Sequence, residues 1–486
     1  MIKLMVLFVF SFPVDYVRGE DDGSNTPRDA YVSSGIGDAR ILIPFLADDV
    51  TSSSICGLVY NGLTKLDKDL NVVGDLASGW EVSEDGLEIV FKLRTGVTWH
   101  DGEKFSAHDV KFTYDMILDP QVACPYVSSY SKIKEIEVVD ENTVRFVYRE
   151  SYAPALLKLG MGIIPRHLFK RGEDIRRSPY SRKPVGTGPY RFIEWKTGEH
   201  MILESNPRYF IHPPRLKRYV YRIIPDQSVQ FIELVTGGID SMDLNPYQFL
   251  YRSETEEFRS RIAKYRYLSQ SYTFIGYNMK DPILADKRVR QALSYSINER
   301  EIIDSVLLGE GEPTTGPFIK GSPYYNDSAR AYGYDIMKAA MLLREAGWSD
   351  VDGSGTLTKD GKELKIVIVT NQGSQVREDA ATVIQSQWAK LGIKTEIQVV
   401  AWSAFLDQFV DKKNFQAVIL GWTVPADPDI FAVWHSSSAG EGGLNFVSFS
   451  NPDVDRLIEE GRREFDPEKR KLIYRQAHSI IAEEAP

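Results

Sequence analysis

The segment that most restricts the fold lies between residues 365 and 400. Lys365–Thr370 reads as a strand, 376–391 as a helix stopped by Gly392, and Ile393–Val400 as a second strand with Ile393, Ile397 and Val399 on one face. A β-α-β run of this kind places its two strands side by side and parallel, joined by a right-handed crossover. At least one open α/β sheet is therefore expected. A further strand, Phe415–Leu420, ends in Gly421-Trp422. Ligands of open α/β sheets sit at the carboxyl ends of strands, so this edge is a candidate binding site on geometry alone.

The rest of the chain keeps the α/β pattern without a repeat, and its 486 residues exceed what one hydrophobic core supports, so two or three packing units are expected. Leu87, Ile89, Phe91 and Leu93 alternate with charged residues as a half-buried strand does, and Val144, Phe146 and Tyr148 repeat the pattern. Between them, Ser106–Leu118 reads as a helix whose Ser106 and Asp109 can satisfy first-turn amides, with Pro120 closing it. The cluster Pro184-Val-Gly-Thr-Gly-Pro189 marks a boundary before a strand at Tyr190–Trp195, which turns at Thr197-Gly198 into His200–Glu204. A second transition lies at Tyr272–Asn278, followed by a helix with Val289, Ala292, Leu293 and Ile297 on its core face.

Charge and cysteine content remove several classes. A net charge of −10 disfavours nucleic acid or an anionic membrane as main partner, since both require a basic face. Cys56 and Cys124 are the only cysteines, so a disulfide scaffold is excluded, at most one bridge could form, and a zinc site has no suitable spacing; two small buried residues is the plain reading. Lys3, the apolar run Leu4–Phe10, and Val17 and Gly19 at −3 and −1 of a cleavage site read residues 1–19 as a secretory signal peptide.

Catalytic signatures are missing. The seven histidines are scattered, and the chain holds no HExxH helix, nucleophile elbow, phosphate loop or dinucleotide fingerprint. The segment Asp350-Val-Asp352-Gly-Ser354-Gly355 resembles half a calcium loop, but Gly361 stands where the bidentate Glu belongs, and a polar turn is the expectation. Glu254–Arg261 reads as a solvated helix face. Tyr126, Tyr277, Trp402, Trp422 and Trp434 stand near turns or strand ends, where rings can line a cleft.

The stretch Asp75-Leu-Ala-Ser-Gly-Trp80, continuing through Phe91-Lys-Leu-Arg-Thr-Gly-Val-Thr-Trp-His-Asp-Gly102 into Phe105-Ser-Ala-His-Asp-Val110, resembles the signature of the peptide/nickel/opine solute-binding proteins, extracellular family 5. The resemblance extends through Asn61-Gly62-Leu63, Gly186-Thr-Gly-Pro-Tyr190, Asp286-Lys-Arg-Val-Arg-Gln-Ala292 and Gly421-Trp-Thr423, over residues 38 to 486. It implies a periplasmic-binding-protein-like type II clamp, α/β with mixed sheets, two lobes and an extra inserted domain. The implied division is 20–60 as the first part of domain I, 61–185 as domain II, 186–270 as the second part of domain I and 271–486 as domain III. A C-terminal return to domain I is expected to be missing, leaving that sheet short of partners.

The function implied by the resemblance is capture of a peptide or related solute between the lobes and delivery to the permease of an ABC importer. Location would be periplasmic or otherwise extracytoplasmic, the state monomeric, with no cofactor, metal or nucleic acid. Val50, Tyr126, Trp402, Gly421, Trp422 and Thr423 match family ligand-contact positions. Asn278 and Asn445 join them as amides able to pair with a peptide backbone. Two departures stand out: Pro425 occupies the place of the aspartate that holds a ligand ammonium, and Phe409 and Ile419 align with arginines of oligopeptide binders. Asp427 then has two readings, a substitute ammonium anchor or a cap on the helix suggested by residues 429–434. Alternatives to peptide capture are a nickel chelate, with only His435 near the edge, a sugar or opine, or a secreted hydrolase.

Overall fold

The computed structural model describes residues 2–4, 7–10, 29–170, 172–351, 353–440 and 442–486. The expected signal peptide falls mostly outside them, as does Asp352 of the calcium-like turn; within residues 1–19 only the backbone of two short strands, Ile2–Leu4 and Leu7–Phe10, is described.

The expected β-α-β unit forms. Lys365–Asn371 pairs in parallel with Lys394–Val400 from Lys365↔Lys394 to Asn371↔Val400, and the helix Gln375–Ala389 crosses between them. Gly392 ends the crossover at φ 78°, where a Cβ would lie 2.4 Å from the Gly355 carbonyl oxygen, so both backbone conformation and space demand glycine. These strands belong to a six-stranded mixed sheet ordered Gly311–Pro313, Ile2–Leu4, Ser271–Tyr277, Ala417–Thr423, Lys365–Asn371, Lys394–Val400. Around it pack Lys287–Tyr295, Ile336–Glu345 and the C-terminal helices Pro452–Arg463 and Pro467–Glu484. Ile297 lies beyond the helix expected to carry it, yet is buried.

A seven-stranded mixed sheet forms the other lobe, ordered Tyr190–Lys196, His200–Ser205, Arg218–Ile223, Ala30–Gly35, Ser241–Leu244, Leu7–Phe10, Ala263–Lys264. Chain segments on either side of residue 186 thus share one sheet. Within it, Ser241–Leu244 is flanked by Ala30–Gly35 and by the backbone of Leu7–Phe10.

Between these segments in sequence lies a four-stranded antiparallel sheet, Ala77–Val82, Glu88–Leu93, Thr143–Tyr148, Ile133–Asp140, covered by the helix Ala107–Leu118. That helix starts as its sequence dictates, with Ser106 Oγ accepting from the His108 amide and Asp109 accepting from the Ser106 amide at 2.9 Å. Ile89, Phe91 and Leu93 face inward as expected, each worth about 1.5–3 kcal/mol of burial. One continuous core, from Ala39 to Leu203, joins this sheet to the helix Val50–Val59. Cys56 and Cys124 lie in it as free buried thiols; Cys124 Sγ donates to the Phe45 carbonyl at 3.0 Å, and burial pushes its pKa up to about 12.

Candidate functional site

The strand expected to stop at Leu420 runs from Ala417 to Thr423, so Gly421, Trp422 and Thr423 are strand residues. On one side they pair with Thr273, Tyr272 and Ser271. On the other, the parallel ladder with Lys365–Asn371 goes no further than Val369↔Val418. Gly421–Thr423 therefore overhang their neighbour, with no ladder partner on that side among the described residues. An overhanging strand end keeps peptide groups that want hydrogen bonds. The Trp422 ring stacks on Phe446 at 5.6 Å and 25°, fixing this end against the core.

The carboxyl edge of this sheet faces the other lobe. Gly373 comes close enough to residue 225 that a Cβ on it would sit 2.4 Å from the Pro225 carbonyl oxygen. Trp402 lies over Gly37, where an added Cβ would meet its ring at 2.6 Å, and the Gly37 carbonyl accepts from Thr51 Oγ1 and Tyr221 Oη at 3.2 Å each. Val50, next to Thr51, opens the helix Val50–Val59 and is 69% exposed, with Asp49 capping the helix through the Ser52 amide. Tyr126 donates to the Ala47 carbonyl at 2.8 Å and lines an open recess of about 350 Å³ with Pro44, Cys56, Tyr60 and Lys158. The structure thus sets Val50 and Tyr126 on either side of residues 47–49, and brings Trp402 to the same seam from the opposite lobe.

Charged groups tie the seam at both ends. Arg40 Nη1 holds Asp48 of its own lobe at 3.1 Å, while Nη2 reaches Asp407 at 2.7 Å and Asp411 at 2.6 Å across it. Burial lowers the Arg40 pKa, but the three carboxylates more than offset it and hold it above the ordinary arginine value. Elsewhere Asp429 is enclosed by Lys158 at 3.8 Å, Arg462 at 3.4 Å and the Tyr152 hydroxyl at 3.3 Å. Burial alone would raise its carboxyl pKa; Lys158 and Arg462 bring it below the usual range.

Three expected contacts have other employment. Asn278 lies at the far end of the strand pair from Gly421, where its Nδ2 donates to the Lys413 and Phe415 carbonyls at 3.0 Å each. Asn445 is fully buried, donating to the His435 and Phe449 carbonyls at 3.1 and 2.8 Å and accepting from the Phe449 amide at 2.9 Å, so no part of its amide faces a cleft. Asp427 meets Arg470 bidentately at 2.8 and 3.0 Å and accepts from the Asp429 amide at 2.9 Å. It caps no helix either: Phe431–Trp434 has its first amide held by Asp429 Oδ1 at 3.2 Å. His435 stacks on Phe431 at 3.9 Å and bonds Ser437 through Nδ1, which makes it a packed residue.

Sequence reading passed over Arg40, Asn371 and Arg377. Arg377 sits in the first turn of Gln375–Ala389, where a cation opposes the helix dipole, and that misplacement is the signal that could have found it. Its Nη1 donates to Asn371 Oδ1 at 2.5 Å, and Nη2 lies 3.2 Å from where a Cβ on Gly421 would be.

Among known proteins, the profile of bacterial extracellular solute-binding proteins, family 5, matches residues 71–443. The oligopeptide-binding protein AppA of Bacillus subtilis strain 168 is 34% identical, over 94% of this chain and 84% of its own length. The dipeptide-binding protein of Escherichia coli K12 is 30% identical, over 85% and 80%. The structure of B. subtilis AppA in complex with a nonapeptide superposes with a TM-score of 0.87 at 31% identity, covering 94% of this chain and 91% of that one. Campylobacter jejuni NikZ in complex with Ni(L-His) gives 0.85 at 28%, with the same coverage. The mixed sheets and paired lobes are those of the type II clamp, and the relatives are binding proteins rather than enzymes. By profile, identity and architecture together, the chain belongs to the bacterial extracellular solute-binding proteins, family 5.

Proposed function

We propose that this protein captures peptides between its lobes outside the cytoplasm and delivers them, as a monomer, to the permease of an ABC importer. The observation that carries the reading is the overhang of Gly421–Thr423 at the seam. An extended peptide can add there as a strand, gaining main-chain hydrogen bonds that do not depend on its side chains. Trp402 and Trp422 supply apolar contact from one lobe, and Val50 and Tyr126 from the other. Domain I is assigned residues 20–60 and 186–270, domain II residues 61–185 and domain III residues 271–486. Closure swings domain III against the other two and presents the loaded shape to the permease.

Native mass spectrometry of the purified protein tests this directly. Co-purified peptides that scramble on addition of a random peptide pool are expected, together with a smaller radius of gyration in the loaded state. A protein that neither carries nor takes up any member of the pool is not a peptide receptor. The similarity to NikZ supports a second reading, a nickel chelate as ligand. Titration with nickel and histidine together, and with nickel alone, separates it from the first. Among the described residues no three His, Cys, Asp or Glu side chains converge as a metal site, so a nickel ligand would have to arrive already chelated.

A further inference from the structure

Charge is not spread evenly over this chain. Residues 166–222 hold 14 Lys and Arg against 5 Asp and Glu in a protein whose net charge is −10, so the remainder is correspondingly acidic. The surplus is concentrated in the loop between the strands His200–Ser205 and Arg218–Ile223, where the run from Asn206 to Lys217 has no acidic residue. That loop is held in shape. The Ser205 amide closes its base on the Lys217 carbonyl at 2.8 Å, and the Asn206 amide donates to the Pro189 carbonyl at 2.7 Å. The Tyr209 hydroxyl accepts from Asn61 Nδ2 at 3.1 Å, and Tyr190 donates to the Leu216 carbonyl at 3.2 Å. Pro207, Pro213 and Pro214 restrict the backbone between these anchors.

Held this way, the loop and the first residue after it expose Arg208, Arg215 and Arg218 together with Ile211 and Leu216, which are 42% and 40% exposed. Among the described residues none of the three arginines has a carboxylate partner. The acids nearby are taken: Asp29 by Lys217, Glu204 by Arg191 and Asp101 by His167. Arg208 comes within 4.0 Å of where a Cβ on Gly102 would lie, and exposed Arg166 precedes the His167 that holds Asp101, so a fourth cation flanks the same turn. The surface lies at the end of its lobe away from the seam. Arg218 pairs with Ala30 at one end of the parallel ladder, while Ile223 and Gly35 at the other lead to Pro225 and Gly37, which touch the opposite lobe.

Free cations beside exposed aliphatic side chains suit a particular kind of surface. An anionic polymer in water makes no use of Ile211 and Leu216, whereas a bilayer takes apolar side chains beneath its phosphates and holds cations at them. We propose that the loop 206–217 is a docking surface for an anionic lipid bilayer, with Arg208, Arg215 and Arg218 at the phosphates and Ile211 and Leu216 below them. The acidity of the rest of the chain does not oppose this contact, because charges more than about 8 Å away are screened at physiological ionic strength. Docked so, the protein turns its seam away from the membrane and toward arriving solute. The contact does not depend on what the seam binds.

Co-sedimentation with vesicles tests the proposal, comparing pure phosphatidylcholine with phosphatidylcholine containing about 30% phosphatidylglycerol in about 0.1 M salt. Wild type is expected to partition at least about thirtyfold more strongly onto the anionic vesicles, and to lose that preference in about 0.5 M salt. R215Q combined with R218Q should cut the ratio by about tenfold or more, with the melting temperature unchanged. I211S combined with L216S should weaken partitioning onto anionic vesicles without altering its salt dependence. Residues 1–19 are the same in wild type and variants, so they drop out of these comparisons. A wild-type ratio near one would overturn the proposal. So would a double arginine variant that keeps the wild-type ratio, since the anionic contact would then lie elsewhere. Retention on immobilised polyglutamate to the same salt as on vesicles, with I211S and L216S together having no effect on either, would make the loop a site for any polyanion and overturn the bilayer.

Discussion

Asn445 illustrates why polar residues at strand ends are hard to read. Its amide makes three main-chain hydrogen bonds that fold residues 435–449 onto themselves, and all its polar capacity is consumed inside the protein. Replacing it with alanine leaves two carbonyls and an amide buried without partners, at a cost of about 2–4 kcal/mol. Asn445→Ala should therefore lower the midpoint of urea unfolding by a corresponding amount, while peptide affinity measured on the folded fraction stays within about twofold. A selective loss of affinity with unchanged stability would return Asn445 to the cleft. The sequence offered Asn278, Asn445 and Asp427 as ligand contacts because residue type and position alone do not reveal which partner is nearest. Arg470, which answers Asp427, stands 43 residues away and comes close only when Pro467–Glu484 packs. Contacts set by such long-range packing are invisible to a reading based on neighbours.

At the scale of elements, locally coded features were legible and overhangs were not. Ser106 and Asp109 fix a helix start through groups within one turn, and the alternation through Leu93 fixes which side of a strand is buried. How far Ala417–Thr423 projects beyond Lys365–Asn371 depends on register between strands distant in sequence. The most recognisable stretch, residues 75–110, turns out to build scaffold. Trp99 is core, and His100 staples the Gly/Pro turn that follows, accepting from the Gly186 amide through Nδ1 at 3.2 Å and donating through Nε2 to the Gly188 carbonyl at 3.0 Å. His478 does the same for another pair of loops, accepting from the Asn326 amide at 2.9 Å and donating to the Thr315 carbonyl at 2.7 Å. Each arrangement requires a neutral ring, because protonation removes the acceptor. Burial is the main cause that brings both pKa values down to about 4. With the folded value below the unfolded 6.5, the folded state binds fewer protons, so this stability is whole above about pH 6.5 and is lost as pH falls toward 4. Each histidine contributes up to about 3 kcal/mol to that loss. Unfolding midpoints measured across this window should drop steeply for wild type and less steeply for His100→Gln; identical slopes would remove His100 from the account.

For the whole molecule, the question is how firmly the two lobes hold each other, since a receptor must both close and release. The two charged contacts differ in kind. In the cluster around Asp429, Arg462 and Tyr152 are buried with it and Lys158 is half-buried, so breaking it strands buried charges without their partners. The Arg40 clasp faces water: the side chains of Asp407 and Asp411 are 55% and 40% exposed. Solvent screening limits such pairs to a fraction of a kilocalorie each, so together they favour closure by about 1 kcal/mol, or roughly fivefold in the closed-to-open ratio. That is enough to bias closure without locking it. Arg40→Met keeps the length and apolar stem of the side chain and removes the charge. It should weaken peptide binding by about fivefold through the smaller closed population, and should enlarge the radius of gyration of the ligand-free protein. The sharper signature is salt. Wild-type affinity should fall between low and molar salt as the clasp is screened, and the Arg40→Met variant, having no clasp to screen, should show a flatter dependence. If variant and wild type lose affinity in parallel as salt rises, the ion pairs at Arg40 do not set the balance between open and closed, and the bias must lie in the buried contact around Asp429.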